Sequence, residues 1–391
     1  MDALQKLALS RAGFTTLDEF YEAMGPDASL EPWLLGYRRV RLQRGDTFYS
    51  LAQQYHTSDR AIAAANPDLD PLRLQIGTIV TVPLGFSLVP TDIPMTSELC
   101  RYCVQGLTAR YPAFCRSREL ARSRYGRPLL QMTIGNGPRR VLYNASHHAN
   151  EWITTPVLLK FAEDYLSALA FETSIFGYDA QALAEHSTLI LVPMVNPDGV
   201  DLVTGAIPPD SNQYAAAAGL ASNYPGIPFP DGWKANLAGV DLNLNYPAGW
   251  DKAREIKFAQ GFTVPGPRDF VGFAPLDQPE TRAMATLTLR FSPALTLSYH
   301  TQGEVIYWKY ADYNVPDARA IGERFAEVSG YTLDLVPEAS GNAGYKDWFI
   351  QQFLRPGYTI EVGLGINPLP LSQFEQIYQD NIGILTLGLT F

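Results

Sequence analysis

Between residues 140 and 362 the apolar segments of this chain alternate in kind, and that alternation narrows the folds open to it. Arg140 to Ala145 reads as a strand, Trp152 to Leu169 as a helix and Leu189 to Val195 as a buried strand. Ala294 to Tyr299 and Tyr358 to Val362 read as further strands, and Asp277 to Phe291 as a helix opened by Asp277 and Glu280 as a capping box. Strands interleaved with helices imply an α/β domain: a mixed central sheet flanked by helices, here spanning residues 98–391. No internal repeat is visible.

Three shorter stretches precede it. Residues 1–35 read as short amphipathic helical pieces broken by Gly25-Pro26-Asp27, too short for a core of their own. Residues 36–85 read as strand, turn, two short helices, turn, strand, a small βααβ unit. Residues 86–97, with Val89-Pro90 and Ile93-Pro94, suit a stiff connector. At 391 residues and about 150 per domain, two to three domains are expected.

Composition removes several function classes. Hydrophobic residues make up 46% and charged residues 18%, which suits a globular chain, and the net charge of −10 argues against nucleic acid and anionic membrane as partners. No apolar run approaches the roughly 18 residues of a membrane span. The start, Met1-Asp2-Ala3-Leu4-Gln5-Lys6, lacks the basic region of a secretory signal. The expected compartment is therefore the cytoplasm. Cys100, Cys103 and Cys115 are too few for a disulfide framework and read as ordinary thiols.

Of five histidines, two lie in Ser146-His147-His148-Ala149-Asn150-Glu151-Trp152, where a strand meets a helix. His148 and Glu151, three apart at a helix head, can share one zinc ion, although the same spacing also suits a plain capped helix start. His300 ends the strand Leu295 to Tyr299, Glu361 ends Tyr358 to Ile360, and Asn196-Pro197-Asp198-Gly199 ends the buried strand. In open α/β sheets the ligand crevice lies outside the carboxyl ends of the strands, so these segments converge there. His56 falls in the βααβ block and His186 precedes its strand, leaving His300 to complete a two-His, one-Glu set.

The block from Tyr37 to Pro83 resembles a LysM domain, a module that recognises N-acetylglucosamine-containing glycans. The likeness rests on Gly45-Asp46-Thr47-Phe48-Tyr49-Ser50-Leu51-Ala52, Ala65-Asn66-Pro67 and Leu74-Gln75-Ile76-Gly77. Residues 1–35 faintly resemble a degenerate peptidoglycan-binding module, through Ala3-Leu4-Gln5-Lys6-Leu7 and Ala12-Gly13-Phe14. The large domain resembles the zinc carboxypeptidase family through His148 to Ile153, Val195 to Gly199, Gly239-Val240-Asp241-Leu242-Asn243, Ser298-Tyr299-His300 and Thr359 to Gly363. That resemblance implies one zinc ion on His148, Glu151 and His300, with Glu361 as general base in amide hydrolysis. It also implies an oxyanion cation at Lys234, where the family usually has Arg; a solvated surface lysine is the plainer reading.

Two departures from the family bear on substrate. The Arg that follows Asn243 and clamps a terminal carboxylate is replaced by Leu244, and another basic position is Asn150. Asn150, Asn243, Tyr345 and Lys346 are the expected substrate contacts, the last two within Ser340 to Trp348; Lys346 paired with Asp347 or solvent is the alternative. Together with LysM, these departures resemble the γ-D-glutamyl-L-diamino acid endopeptidases. That branch cuts between γ-D-glutamate and meso-diaminopimelate, or lysine, in peptidoglycan stem peptides and muropeptides, and a cytoplasmic member is expected to act on recycled muropeptides or in a sporulating cell, with cell-wall association left open. Segments Tyr299 to Trp308 and Arg268 to Leu276 add to the branch likeness. The alternatives are a metallocarboxypeptidase, an amidohydrolase of small N-acyl amino acids, and a non-catalytic wall-binding protein.

Overall fold

The computed structural model describes residues 1–391. Strands β1 (Tyr37–Arg41) and β2 (Ile79–Pro83) pair antiparallel around two helices, Phe48–Gln54 and Asp59–Ala65. Each helix begins where its sequence supplies a cap: Thr47 Oγ1 accepts from Ser50 N at 3.0 Å, and Ser58 Oγ accepts from Ala61 N at 3.0 Å. Asn66 then ties the second helix to β2, accepting from Thr81 N at 2.9 Å and donating to Thr81 O and Ile62 O. Leu42, Phe48, Leu51, Ile62, Val80 and Val82 form the small core.

The remaining strands are β3 (Cys115–Arg122), β4 (Pro128–Ile134), β5 (Arg139–Ala145), a short hairpin β6 (Ser174–Ile175) and β7 (Tyr178–Asp179), β8 (Ser187–Val192), β9 (Leu295–His300), β10 (Val305–Tyr307), β11 (Thr332–Asp334) and β12 (Gly357–Glu361). All but the hairpin form one eight-stranded mixed sheet in the order β11-β10-β12-β9-β5-β8-β4-β3. The middle four, β12, β9, β5 and β8, run parallel, and antiparallel neighbours close both sides. Parallel strands are covered on both faces, and β9 accordingly buries every residue from Leu295 to His300. The fold is the expected α/β sheet, with helix Thr154–Ala170 among those packed on it.

Three expectations about local structure change. The helix at residues 277–291 begins at Pro279, with Gln278 at the cap position and no capping side chain. Glu280 is fully buried and cannot fold back to cap, and Asp277 instead accepts from Phe273 N and Asn245 Nδ2. Residues 1–35 form helices Ala3–Ala12, Leu17–Met24 and Glu31–Leu35 that do share a core, around Leu9, Phe20, Trp33 and Leu34, completed by Leu84. The connector is not a free spacer: Leu88, Val89 and Met95 are buried in the main core. Glu163 accepts from Ser87 Oγ at 2.7 Å and from Leu88 N, while Arg110 donates to the carbonyls of Gly36, Leu84 and Phe86. Cys100, Cys103 and Cys115 are free and buried.

Candidate active site

The loop after β5 turns sharply at Ser146, whose φ of 52° is left-handed and whose hydroxyl lies 3.0 Å from Thr154 Oγ1 and 2.8 Å from Thr155 Oγ1. That turn delivers His148 and Glu151 to the carboxyl end of the sheet. Asn196, after β8, pins the same loop from the side: its Nδ2 donates to His147 O and Ala235 O, and its Oδ1 accepts from Gly199 N. A Cβ at Gly199 would stand 2.5 Å from Ala235 O, so glycine is required for that approach. The Asn196 segment is thus scaffold. Asp198 turns away from the site to Arg127 Nη1 at 2.9 Å and Ser123 Oγ at 2.8 Å.

His148, Glu151 and His300 come together, all buried. Glu151 Oε1 lies 2.9 Å from His148 Nδ1, Glu151 Oε2 lies 2.9 Å from His300 Nδ1, and the two Nδ1 atoms are 3.2 Å apart. Zinc bonds of about 2.0–2.1 Å at tetrahedral angles hold ligand atoms about 3.3 Å apart, so this triangle could hold one ion with small adjustment. Two ring nitrogens aimed at each other and at one carboxylate make a poor hydrogen-bonding group and a good ligand set. His148 Nε2 is held by Asp241 Oδ1 at 3.1 Å, the outer carboxylate that fixes the ring of a ligating histidine. Along the chain Asp241 is marked only by its place in Gly239-Val240-Asp241-Leu242-Asn243, two residues before Asn243.

Charges in the site shift one another. Burial opposes the imidazolium of His148, but the charges of Glu151 and Asp241 together with the hydrogen bond to Asp241 outweigh it and lift the group to about 9. Burial lowers the affinity of His300 for a proton. Glu361, at the end of β12, is pushed up to about 8 by burial and then by the charge of Glu151, with Lys234 and His148 opposing. Lys234 stands beside the centre because Ala149 N donates to its carbonyl at 2.9 Å, and its Nζ lies 3.2 Å from Glu151 Oε1.

A cleft of about 1240 Å³ opens over this centre, lined by His148, Lys234, Asn243, Lys346 and Glu361 among others. Asn150 also lines it and donates to Asp231 O at 3.1 Å, while its Oδ1 has no partner. Lys346 is buried, 2.6 Å from Asp347 Oδ1, with Nζ donating to Lys309 O at 2.7 Å. Tyr345 departs from expectation: it is wholly buried behind the wall, its hydroxyl 2.8 Å from Thr288 Oγ1 and its backbone N donating to Asn243 Oδ1. The helix Tyr345–Phe353 turns position 345 inward and 346 toward the cleft. Lys257, Arg268 and Asp269 line the same cleft and went unremarked as site residues in the sequence.

The zinc carboxypeptidase family model matches residues 101–382. This chain belongs to the zinc carboxypeptidase family. It is a zinc-dependent peptidase carrying a LysM domain, matched at residues 40–83. Gamma-D-glutamyl-L-diamino acid endopeptidase 1 of Lysinibacillus sphaericus is 46% identical over 286 residues, covering 73% of this chain and 70% of that protein. The uncharacterized protein YqgT of Bacillus subtilis (strain 168) is 40% identical over 280 residues, covering 71% and 73%. Bovine thrombin-activatable fibrinolysis inhibitor, solved with a tick carboxypeptidase inhibitor, matches with a TM-score of 0.60 at 16% identity, over 77% of this chain and 97% of that one. Carboxypeptidase A of Helicoverpa armigera gives a TM-score of 0.57 at 19% identity, over 86% and 81%. Those two structural likenesses concern the fold.

Proposed function

We propose that this zinc carboxypeptidase relative hydrolyses the amide between γ-D-glutamate and meso-diaminopimelate, or lysine, in peptidoglycan stem peptides, while LysM holds N-acetylglucosamine glycan nearby. The observation that carries this reading is the 46% identity, over 73% of the chain, with an enzyme named for that bond. The neutral Leu244, buried at the cleft wall where the family's terminal-carboxylate Arg would stand, supports an endopeptidase-type choice.

In this reading His148, Glu151 and His300 hold the zinc. When bound, the ion supplies Lewis-acid polarisation and a lowered pKa for water. Glu361 takes up a proton and returns it to the departing amine. Lys234 sets its charge against the negative charge that develops on the carbonyl oxygen. The Lys346–Asp347 pair, in the cleft wall, presents a cation beside a carboxylate. The far end of meso-diaminopimelate carries the complementary pair, a carboxylate beside an ammonium. Asn150 and Asn243 contribute neutral contacts to the peptide.

The test is mass spectrometry of L-Ala-γ-D-Glu-meso-diaminopimelate after incubation with zinc-loaded protein, with Glu361→Gln as control. Release of diaminopimelate by the wild type alone is expected. No cleavage with zinc bound overturns the assignment.

A further inference from the structure

Four cations line the cleft, and three are committed to neighbours. Lys234 lies on Glu151, Lys346 on Asp347 and the Lys309 carbonyl, and Lys257 on Asp269 Oδ1 at 2.7 Å. Arg268 differs. Its Nε donates to Asp269 Oδ2 at 2.6 Å, its terminal nitrogens bond to nothing in the protein, and its side chain is 41% exposed. A guanidinium held by Nε keeps its outer edge available for an oxyanion.

Its backbone is held to the segments that carry Lys234 and Asp241. Lys234 N and Ala235 N both donate to Pro267 O, at 2.7 and 2.9 Å, so Arg268 follows directly on a segment paired to that of Lys234. Asp269 N donates to Asp241 Oδ2 at 3.3 Å, and Asp241 holds His148. Asp269 adopts a left-handed backbone, φ 64°, to make these contacts. Arg268 therefore stands on the Lys234 side of the centre, and Lys234 is the cation that the proposed function sets beside the scissile carbonyl. Lys346 is anchored to the carbonyl of Lys309, just beyond β10, which pairs with β12 beside Glu361 on the amine side.

We propose that Arg268 is a specificity residue that binds the free α-carboxylate of the γ-linked glutamate on the acyl side of the scissile bond. The inference rests on the γ-D-glutamyl reading above. A γ-glutamyl amide carries that carboxylate three carbons from the reacting carbonyl, on the carbon that bears the acylated nitrogen, and converting it to a carboxamide removes the charge without touching the scissile bond. The free edge of Arg268 thus reads the charge of that carboxylate, independently of what lies on the amine side.

The experiment compares L-Ala-γ-D-Glu-meso-diaminopimelate with the same peptide whose glutamate α-carboxylate is a carboxamide. The wild-type enzyme is expected to favour the free acid in kcat/KM by about 10- to 100-fold, as loss of a charge-assisted hydrogen bond predicts. Arg268→Gln should bring that ratio to about one, and Arg268→Lys should restore part of it, with zinc content and Tm unchanged in both. Equal wild-type cleavage of the two peptides, or an Arg268→Gln variant that keeps the wild-type ratio, overturns the role of Arg268 alone. Cleavage of neither peptide by the wild type overturns the γ-D-glutamyl reading together with it.

Discussion

Buried charge is used in two opposite ways in this molecule. At the seam where the N-terminal modules meet the catalytic domain, Arg110 and Glu163 are buried 4.0 Å apart, and most of their polar atoms bond to backbone carbonyls and amides between Gly36 and Val89. At the carboxyl end of the sheet, His148, Glu151 and His300 face each other instead. Charges answered by the backbone act as rivets, because backbone groups are fixed and cannot be exchanged for a ligand. Charges answered mainly by other side chains form a set whose best common partner is a cation.

That contrast can be broken, and the largest effect is expected at the metal centre. His300→Ala removes one corner of the triangle and should abolish stoichiometric zinc and reduce activity by more than about 1000-fold, checked by metal analysis and peptide turnover. Zinc retained at full stoichiometry would remove His300 from the ligand set. Next comes Arg110→Ala, which leaves Glu163 buried beside uncompensated carbonyls. It should cost about 3–5 kcal/mol in denaturant unfolding while zinc content stays at the wild-type level.

Glu280 sharpens the comparison, being a buried carboxyl answered well by neither kind of partner. Its bonds to Arg124 N at 3.5 Å and Asn236 Nδ2 at 3.4 Å are long, and burial pushes it from 4.5 to about 7. The folded protein therefore binds this proton more tightly than the unfolded chain. Stability should fall as pH rises from about 4.5 through about 7 and flatten above, by an amount on the order of 3 kcal/mol. Glu280→Gln should flatten that slope in unfolding curves taken at several pH values; an unchanged slope would show another group to be responsible. The smallest expected effect is Lys346→Gln, a loss of roughly tenfold in kcat/KM on a diaminopimelate peptide and less on the lysine analogue. Equal losses on both would detach Lys346 from the diaminopimelate carboxylate.

Much of the site could be read along the chain because its elements are local. His148 and Glu151 share one turn, and His300 and Glu361 end apolar strands, so strand periodicity placed them at the same edge of the sheet. Tyr345 and Lys346 show where that reading stops. Adjacent helical residues point about 100° apart, and only the packing of Tyr345 against Thr288 and His147 decided which of the two faces the cleft. Asp277 and Glu280 failed as a capping box for a related reason. The spacing was right, but full burial of Glu280 overrode a local preference.

Sequence by itself determined the alternation of strands and helices, the βααβ module and the ligand types, since each depends on residues a few positions apart. Tertiary structure alone decided that Asp241 backs His148, that Leu84 closes the N-terminal core while Leu88 buries the connector in the main one, and that Arg268 keeps a free edge beside Lys234. Those contacts join segments tens of residues apart, and their partners are chosen by chain closure and burial rather than by local propensity.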